Sequence, residues 1–427
     1  MLVVQLLLPR FLVMEVVLFI HFMHNGQACG SVKKGQKVQD FILDKEEAPQ
    51  KEEETCFVPL GNGTLDFEPL FLNKGQFLMP IILHGSSVIP IKGQATISCP
   101  SARLSNIGDG SSNVIDVICS HSNIKTKDDD QTTIQYKDLS CSRSIRETVQ
   151  EDHEGQHCGP EGQSGKIVHI GWKIDSFIPQ ITVCHDKGRD HTYYTNHTVL
   201  GPHLEAKASD PKRPNFKEGG GGFYSKSSAE TAYKQSSQAK ILSRLKKPSF
   251  FAKGHLSPDA DFVPQEWQDA TYYFMNAAPQ WQPFNNGNWK QMEASIRNLA
   301  SASKLNLLVQ TGTFEGLQMD ENNTLYLGRN DAIPVPLYLW KLVSHEDKAM
   351  AFVTVNNPMV GNEDMANFNI CPDDDPDLCE DHGWLFPTRK KANKGLLYCC
   401  SYKSLKKVIP WAMNLGSRIG LLDMIPS

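Results

Sequence analysis

Long apolar segments are scarce in this chain of 427 residues. Only the stretch from Leu2 to Met23 is long and apolar enough to cross a bilayer. The sequence also contains no internal repeats. These absences exclude a multispanning membrane protein and a repeat solenoid. An excess of charge of one sign is also missing, since 43 Lys and Arg stand against 48 Asp and Glu. With a net charge of −5, the molecule as a whole is not a polycation.

The apolar run at the N-terminus has the features of a secretory signal. It contains Pro9 and Glu15, and it precedes Gly26-Gln27-Ala28, which resembles a small-x-small cleavage site. We predict a signal peptide over residues 1–28, a secreted extracellular protein, and no membrane attachment after cleavage. The alternative is an uncleaved membrane anchor, which the proline and the glutamate within the run disfavour.

Cysteine is plentiful, with eleven residues in the chain. After a signal peptide this number indicates disulfides rather than redox thiols, although the sequence does not fix their pairing and an odd count leaves one cysteine over. The last four cysteines lack the spacing of a zinc site, so we expect disulfides there as well. Those four are Cys371, Cys379, Cys399 and Cys400. Three Asn-x-Thr triplets fit a glycosylated protein, at Asn62, Asn196 and Asn322.

Composition divides the chain into regions. Residues 29–56 are charged and poor in large apolar groups, which predicts a flexible leader. Residues 57–160 consist of short apolar runs broken by Gly, Asn, Ser and Asp, a pattern typical of a β-rich module. The remainder, residues 161–427, alternates longer strand-like and helix-like segments.

Within that remainder, hydrophobic spacing predicts the individual elements. Helices are expected over Ser227–Leu245 and Asn286–Ser303, and the four glycines Gly219–Gly222 mark a loop. Strands are expected at Ser249–His255, Thr271–Met275, Leu305–Thr311, Pro334–Val343 and Ala349–Val355.

Positive charge is concentrated in residues 201–258, which carry eleven Lys or Arg against four Asp or Glu. Such an excess suits an anionic polymer, because Lys and Arg release the counterions condensed on phosphates. A solvated basic loop has the same composition, and charge alone does not decide between the two.

Groups suited to phosphodiester cleavage follow this basic stretch. His255 can act as a general base, although a lone histidine is more often structural. The amide oxygen of Asn285 suits Mg²⁺, although the Asn-rich segment is also typical of a turn and a helix N-cap. Glu293 and Arg297 lie four residues apart on the predicted helix, where Arg297 suits a phosphate. The alternative for that pair is a surface ion pair, which would stabilise the fold by only about 0.3 kcal/mol.

Three motifs in this region resemble those of the DNA/RNA non-specific endonucleases, a family of ββα-metal (His-Me finger) nucleases. The family motifs are Asp-Arg-Gly-His, Asn-x-x-Pro-Gln and Asn-x-Gly-x-Trp-x-x-x-Glu. Here they read Ala252-Lys253-Gly254-His255, Asn276-Ala277-Ala278-Pro279-Gln280, and Asn285-Asn286-Gly287-Asn288-Trp289 leading to Glu293. The resemblance extends over most of Ile167–Ser401. It includes Gln310-Thr311-Gly312-Thr313, Ile333-Pro334-Val335-Pro336 and Tyr398-Cys399-Cys400, which look like the secreted arthropod-type branch.

This resemblance implies a role for each site residue. His255 would be the general base, and Asn285 the sole direct protein ligand of a Mg²⁺ ion, which Mn²⁺ can replace. Glu293 would orient a metal-bound water, and Asn276 would position the catalytic network. Lys253 and Arg297 would contact the phosphate.

The sequence departs from the family pattern in its first motif. Lys253 replaces the usual arginine, so a bidentate clamp on the phosphate becomes a point charge. Ala252 replaces the aspartate and removes a hydrogen-bonding group. Neither change removes the base or the metal ligand.

The aromatic residues of this region have two interpretations. Tyr272, Tyr273, Phe274 and Trp281 are suited to stacking on nucleic-acid bases, but core packing is the more frequent role of such residues.

The resemblance implies an α+β fold, with a ββα-metal nuclease core on a mixed, mainly antiparallel sheet behind the β-rich module. Residues 161–427 would form the catalytic domain, which hydrolyses DNA and RNA with little sequence specificity and leaves 5′-phosphate ends. No obligate protein partner is evident. Two alternatives stay open: a catalytically weak extracellular nucleic-acid-binding protein on the same scaffold, and a structural glycoprotein without a nucleic-acid role.

Overall fold

The computed structural model describes residues 54–61, 65, 67–105, 107, 110–128, 132–152, 156–208, 213–220, 222–224, 228–320, 323–376 and 378–424. The predicted signal peptide and most of the predicted leader lie outside these residues, as do Cys29, Asn62 and Asn322.

Short strands fill the N-terminal region, as its broken apolar runs predict. They are β1 (Thr55–Pro59), β2 (Leu70–Asn73), β3 (Gln76–Phe77), β4 (Ile81–Leu83), β5 (Ser86–Lys92), β6 (Gln94–Ser98), β7 (Val114–Ser120), β8 (Asn123–Thr126) and β9 (Thr133–Ile134). A three-stranded sheet has the order β1-β5-β4, and a six-stranded sheet has the order β3-β2-β6-β7-β8-β9.

Two disulfides join parts of this region that are distant in sequence, Cys56 to Cys119 and Cys99 to Cys141. Thr55 and Cys56, which close the predicted leader, lie in β1.

A second group of strands begins before residue 160. It comprises β10 (Thr148–Glu151), β11 (His157–Cys158), β12 (Gly165–Lys173), β13 (Phe177–Asp186) and β14 (His191–Leu200). Both β10 and β11 pair with β12, so the boundary predicted at residue 160 falls inside a sheet. Cys158 and Cys184 form a disulfide within this group.

The centre of the chain contains most of the helices. Its elements are α1 (Ala229–Tyr233), α2 (Gln235–Leu245), β15 (Phe251–His255), α3 (Gln265–Asp269), β16 (Ala277–Trp281), α4 (Gln282–Phe284) and α5 (Lys290–Ser303). Strands β15 and β16 form an antiparallel pair, and a π-helical turn at Asn285–Trp289 leads into α5.

The C-terminal part completes the main sheet. Its strands are β17 (Asn306–Gly316), β18 (Gln318–Asp320), β19 (Asn323–Thr324), β20 (Tyr326–Leu327), β21 (Ile333–Pro334), β22 (Pro336–His345), β23 (Lys348–Val355), β24 (Leu397–Cys400) and β25 (Gly420–Leu421). Its helices are α6 (Leu378–Asp381) and α7 (Tyr402–Val408). The main sheet has the order β10-β12-β13-β14-β17-β22-β23-β24, and only the pairing of β25 with β23 is parallel among its described strands.

Helices cover both faces of the main sheet. On one face, Met292, Ile296 and Leu299 of α5 pack with apolar residues of β14, β17, β22 and β23. On the other face, Tyr402 and Leu405 of α7 pack against residues that include Trp340. The fold is therefore α+β on a mainly antiparallel sheet, as predicted.

One hydrophobic core connects the N-terminal sheets to the main sheet. It runs from Val58 and Ile97 through Trp172 of β12 to Phe262 and Trp267 near the centre of the chain. The described residues of the two predicted regions thus share buried apolar surface.

Two predicted elements differ from those observed. The strand expected at Thr271–Met275 is wrong, because this segment forms turns and a 3₁₀ turn at Phe274–Asn276. The aromatic side chains of this segment are buried in the hydrophobic core, although its backbone does not form a strand. The helix expected from Ser227 to Leu245 breaks at Lys234, whose backbone is extended with ψ 134°.

The C-terminal cysteines form disulfides, as predicted, joining Cys371 to Cys400 and Cys379 to Cys399. The described part of the chain contains no helix with both the length and the apolar character that a bilayer crossing needs.

Candidate active site

Strands β15 and β16 and helix α5 form a ββα unit that contains all three sequence motifs. In the β15–β16 register His255 lies opposite Ala277, and Gly254 lies opposite Ala278. A Cβ atom on Gly254 would stand 2.4 Å from Oε1 and 2.7 Å from Cβ of Gln280. The position before the histidine therefore requires glycine, because the buried Gln280 fills the space.

The turn between β16 and α5 is held in place by contacts with residues 388–395. A Cβ atom on Gly287 would stand 2.4 Å from the carbonyl oxygen of Lys394. The buried Asn288 donates from Nδ2 to the carbonyl oxygens of Thr388, at 2.8 Å, and Gly395, at 2.5 Å. These contacts hold the backbone that carries Asn285.

A cavity of about 180 Å³ lies between this turn, the end of β15 and the start of α5. His255, Asn285, Glu293 and Arg297 all border it. An adjoining cavity of about 440 Å³ is bordered again by His255 and Asn285, and also by Lys253. The structure therefore brings five of the six predicted site residues to one cleft.

The imidazole of His255 is packed between two aromatic rings. Its centroid lies 4.9 Å from that of Phe216 and 4.9 Å from that of Tyr272. Burial lowers the pKa of His255 to about 4; Asp259 opposes this shift, and Arg213 and Lys253 reinforce it. The ring is thus neutral at neutral pH, and its buried Nε2 has no hydrogen-bond partner among the described residues.

Asp259 borders the smaller cavity beside the histidine. Its Oδ2 accepts a hydrogen bond of 2.7 Å from the hydroxyl of Tyr272 and lies 3.6 Å from Nε of Arg213. Burial acts to raise the pKa of Asp259, but the Tyr272 hydroxyl, His255 and Arg213 outweigh it and bring the pKa below its usual value.

Glu293 lies over a buried lysine. The Nζ of Lys341 is 4.0 Å from its Oε1, and the two side chains are 1% and 12% exposed. Burial raises the pKa of Glu293 to about 7, while Lys341 acts in the opposite direction. Lys341 itself donates to the carbonyl oxygen of Leu256 at 3.2 Å and to Oγ1 of Thr311 at 2.6 Å. It thereby connects the residue after His255 to the main sheet.

Arg297 does not form an ion pair with Glu293. Its Nη1 donates to Oδ1 of Asp261 at 2.7 Å, and Oδ2 of the same carboxylate lies 2.9 Å from Nε2 of the buried His197. The guanidinium has five N–H donors, so this contact leaves others for a phosphate. Arg297 is held in place, with its side chain 20% exposed.

Lys253 reaches the larger cavity from an exposed position on β15. Its Nζ lies 5.0 Å from the ring centroid of Phe216 and 5.8 Å from that of Phe274. These rings support the ammonium without neutralising it.

Asn276 borders neither cavity. It is fully buried, and its Oδ1 accepts from the backbone N–H of Ser257 at 2.9 Å. Its Nδ2 donates to the carbonyl oxygens of Ser257 and Thr271, both at 2.8 Å. Asn276 therefore fixes the backbone two residues beyond His255, and it can influence the cleft only through that backbone.

Five charged residues at the site were missed by the sequence analysis: Arg213, Asp259, Asp261, Lys290 and Lys341. Lys341 stands alone among apolar residues in β22, and this pattern indicates a buried charge that needs a partner. The two aspartates follow His255 closely but belong to no motif that we considered. The aromatics Tyr272, Tyr273, Phe274 and Trp281 are all buried, which agrees with core packing.

The residues around the smaller cavity suit a hard divalent cation. Asn285 contributes an amide oxygen, and Glu293 and Asp259 contribute carboxylates. Oxygen donors of this kind are those that Mg²⁺ prefers. The Cys371–Asp374–Cys400 group elsewhere in the chain is excluded as a metal site, since its two sulfurs form a disulfide.

The chain matches known nucleases in sequence. The sequence model of the DNA/RNA non-specific endonuclease family matches residues 165–404. A "Salivary endonuclease" of Lutzomyia longipalpis is 30% identical, over 70% of this chain and 71% of that protein. A "Salivary endonuclease" of Culex quinquefasciatus is 25% identical, over 60% of this chain and 69% of that protein. The solved structure of the EndoG/EndoGI complex aligns with a TM-score of 0.31 and 21% identity, over 42% of this chain and 72% of that chain.

The family match spans more than half of the chain, and the protein therefore belongs to the DNA/RNA non-specific endonucleases. It is a nuclease, a phosphodiester hydrolase of a family that depends on a divalent metal. The expectation of a secreted protein agrees with the salivary source in the names of both relatives.

Proposed function

We propose that this chain is a secreted, Mg²⁺-dependent endonuclease that hydrolyses DNA and RNA with little sequence preference and leaves 5′-phosphate ends. The observation that carries the proposal is the shared border of His255, Asn285 and Glu293 around one small cavity. A neutral imidazole, an amide oxygen and a carboxylate there combine a base with oxygen ligands for a metal.

His255 acts as the general base. Its ring is neutral at neutral pH and has an unpartnered nitrogen, so it is able to accept a proton from water. The resulting hydroxide attacks phosphorus, the bond to the 3′ oxygen breaks, and the phosphate stays on the 5′ side of the next nucleotide. The ribose 2′-hydroxyl takes no part, so DNA and RNA are both substrates.

The other residues bind and orient. Asn285 holds the Mg²⁺, and Mn²⁺ can replace it; when bound, the ion stabilises negative charge on the phosphate and the departing oxygen. Glu293 orients the water, and Arg297 and Lys253 share the charge of the phosphate. Asn276 keeps the backbone after His255 in position.

Little sequence preference follows from the kind of groups present. The cations near the cleft, Arg213, Lys253 and Arg297, recognise phosphates, which are the same at every base pair. The excess of Lys and Arg in residues 201–258 extends this type of contact.

Plasmid DNA and duplex RNA incubated with Mg²⁺, with and without EDTA, test the proposal. His255→Ala should lose about 10²- to 10⁴-fold in turnover and should keep its affinity for DNA in EDTA. His345→Ala, which changes a histidine that borders neither cavity, should leave turnover unaltered. Near-normal turnover of His255→Ala would remove this residue from its role.

The products and the binding measurement separate the remaining possibilities. Ends that a ligase seals without prior phosphorylation would establish the 5′-phosphate, whereas ends that need a kinase would contradict it. Tight DNA binding with no cleavage in millimolar Mg²⁺ would instead establish the catalytically weak binding protein.

A further inference from the structure

A groove of about 590 Å³ lies beside the active site and is not used by the chemistry described above. Its walls come from four separate segments: residues 247–249, 281–284, 358–362 and 391–393. The sequence analysis did not connect them, since 144 positions separate Lys247 from Lys391.

The groove and the catalytic cleft share a wall. In the turn after β16, Pro283 and Phe284 line the groove, whereas Gln282, Asn285 and Asn286 line the larger catalytic cavity. The same turn of backbone therefore presents Phe284 to the groove and the adjacent Asn285, the proposed metal ligand, to the cleft. A polymer that leaves the cleft over this turn would enter the groove.

The charged residues that line the groove are lysines, although two acids lie beside its wall at Gly361: Asp364, which accepts from the Gly361 N–H at 2.9 Å, and the exposed Glu363. The lysines are Lys247 and Lys391, and none of the other described residues along the walls of the groove is acidic. Both lysines are exposed, and neither has a carboxylate within 4.0 Å among the described residues. Lys390 and Lys394, also exposed, flank Lys391 in the chain.

The lysine-rich segment at residues 390–394 is held against the turn between β16 and α5. Asn288 donates to the carbonyl oxygens of Thr388 and Gly395, which bracket this lysine-rich segment. On the far side, the backbone N–H of Ala392 donates to Oδ1 of Asn362 at 2.7 Å. The position of Lys391 is thus set relative to Asn285 by contacts of the folded chain.

The floor of the groove is apolar, although its two aromatic side chains are mostly buried: Trp281 is 4% exposed and Phe284 is 3% exposed. The floor contains Trp281, Pro283, Phe284 and Val360, so apolar surface lies between the two lysines. Alternating apolar and cationic surface is the chemistry that accommodates a sugar–phosphate chain.

We propose that this groove holds the substrate strand on one side of the scissile phosphate, with Lys247 and Lys391 as its phosphate contacts. The inference rests on the nuclease function proposed above and deepens it. The enzyme would contact the phosphates of several nucleotides in addition to the phosphate at which it cleaves. Binding through these lysines is electrostatic and releases counterions, so it depends on salt and not on sequence.

Binding of a 20-base-pair duplex to the full chain, measured in EDTA over a series of salt concentrations, tests this proposal without involving catalysis. Each phosphate contact contributes about 0.9 to the slope of log affinity against log salt. The double variant Lys247→Gln/Lys391→Gln should therefore lower the slope by about 2 and weaken binding on the order of tenfold at low salt. Lys247→Glu/Lys391→Glu should weaken it further.

The matched control is Lys74→Gln/Lys137→Gln, which removes the same charge from exposed positions outside the groove and both cavities. It should leave the slope unaltered. Groove variants that keep the slope and affinity of this control would overturn the inference. A failure of the proposed function appears elsewhere, as normal cleavage by His255→Ala or cleavage that resists EDTA.

Discussion

Arg297, in the middle of helix α5, donates to Asp261 across 2.7 Å and so connects the helix to the loop that follows His255. The same carboxylate bonds the buried His197 of β14 at 2.9 Å. Asp261 is only 3% exposed, so it connects the helix, the loop and the main sheet at the edge of the cleft. The orientation of the Arg297 side chain therefore depends on a residue 36 positions earlier in the chain.

Replacing Asp261 by Asn should reduce both stability and activity. Removing one partner of a buried ion pair costs about 3 kcal/mol in free energy of unfolding. Loss of the orientation of Arg297 should lower kcat/KM by about tenfold. Urea unfolding and cleavage assays measure the two effects. Asp373→Asn, which affects an exposed ion pair with Lys407, is the control and should change neither.

The stability difference between the wild type and Asp261→Asn should depend on pH. Although burial acts to raise the pKa of Asp261, His197 and Arg297 outweigh it and hold the pKa well below its usual range. A lowered folded pKa gives stability that is present above the unfolded value, about 3.9, and lost as pH falls through the folded value. The two proteins should therefore differ fully at pH 6, and the difference should begin to shrink as the pH falls below about 4. A constant difference over this range would contradict the assignment.

Asn285 and Asn286 are neighbours in the turn between β16 and α5, so replacing each of them gives a matched test of which one binds the metal. Asn285→Ala should raise the Mg²⁺ concentration needed for half-maximal cleavage by tenfold or more, on the order expected for losing a metal ligand. Asn286→Ala, at an exposed position next to it, should stay within about threefold of the wild type. Mg²⁺ titrations of plasmid cleavage measure both. The reverse result would show that Asn286 is the ligand.

The sequence predicted the first strand and the helix of the ββα unit but not its second strand, β16, and five of the six predicted site residues border the cleft. Local spacing fixes these positions, because His255 ends one strand and Glu293 lies on the helix that follows the turn. The supporting charges were not predictable in the same way. Lys341 reaches Glu293 from a strand 48 positions away, and only the packing of α5 on the main sheet brings them together.

Where the prediction of an element was wrong, packing had overridden local preference. Thr271–Met275 is dense in aromatics, which favours a strand in isolation. In the fold its carbonyl and N–H groups bond to Lys217 and Asn276, and its rings enter two separate cores. Sequence alone does not distinguish a buried turn of this kind from a strand.

Gly254, the residue before His255, should be required for stability. Gly254→Ala places a methyl group 2.4 Å from Oε1 of the buried Gln280, so one of the two strands has to shift. Overpacking of this kind costs about 1–3 kcal/mol. Thermal unfolding should show a lower melting temperature. Gly420→Ala is the control, since its new methyl group would meet nothing nearer than 3.8 Å, and an equal effect of both changes would refute the steric argument.

Lys253→Arg should increase activity, because it returns the residue that the family usually has at this position. An arginine binds a phosphate with two parallel hydrogen bonds, whereas the ammonium of lysine acts as a point charge. Lys253 is exposed and its Nζ lies 5.0 Å from the ring of Phe216, so the longer guanidinium has room and a face to stack on. We expect kcat/KM on duplex DNA and duplex RNA to rise about fivefold, equivalent to about 1 kcal/mol, and Lys253→Ala to lower it. If Lys253→Arg falls to the level of Lys253→Ala, the lysine is itself adapted to this cleft, and the substitution in the motif marks a different arrangement of the phosphate.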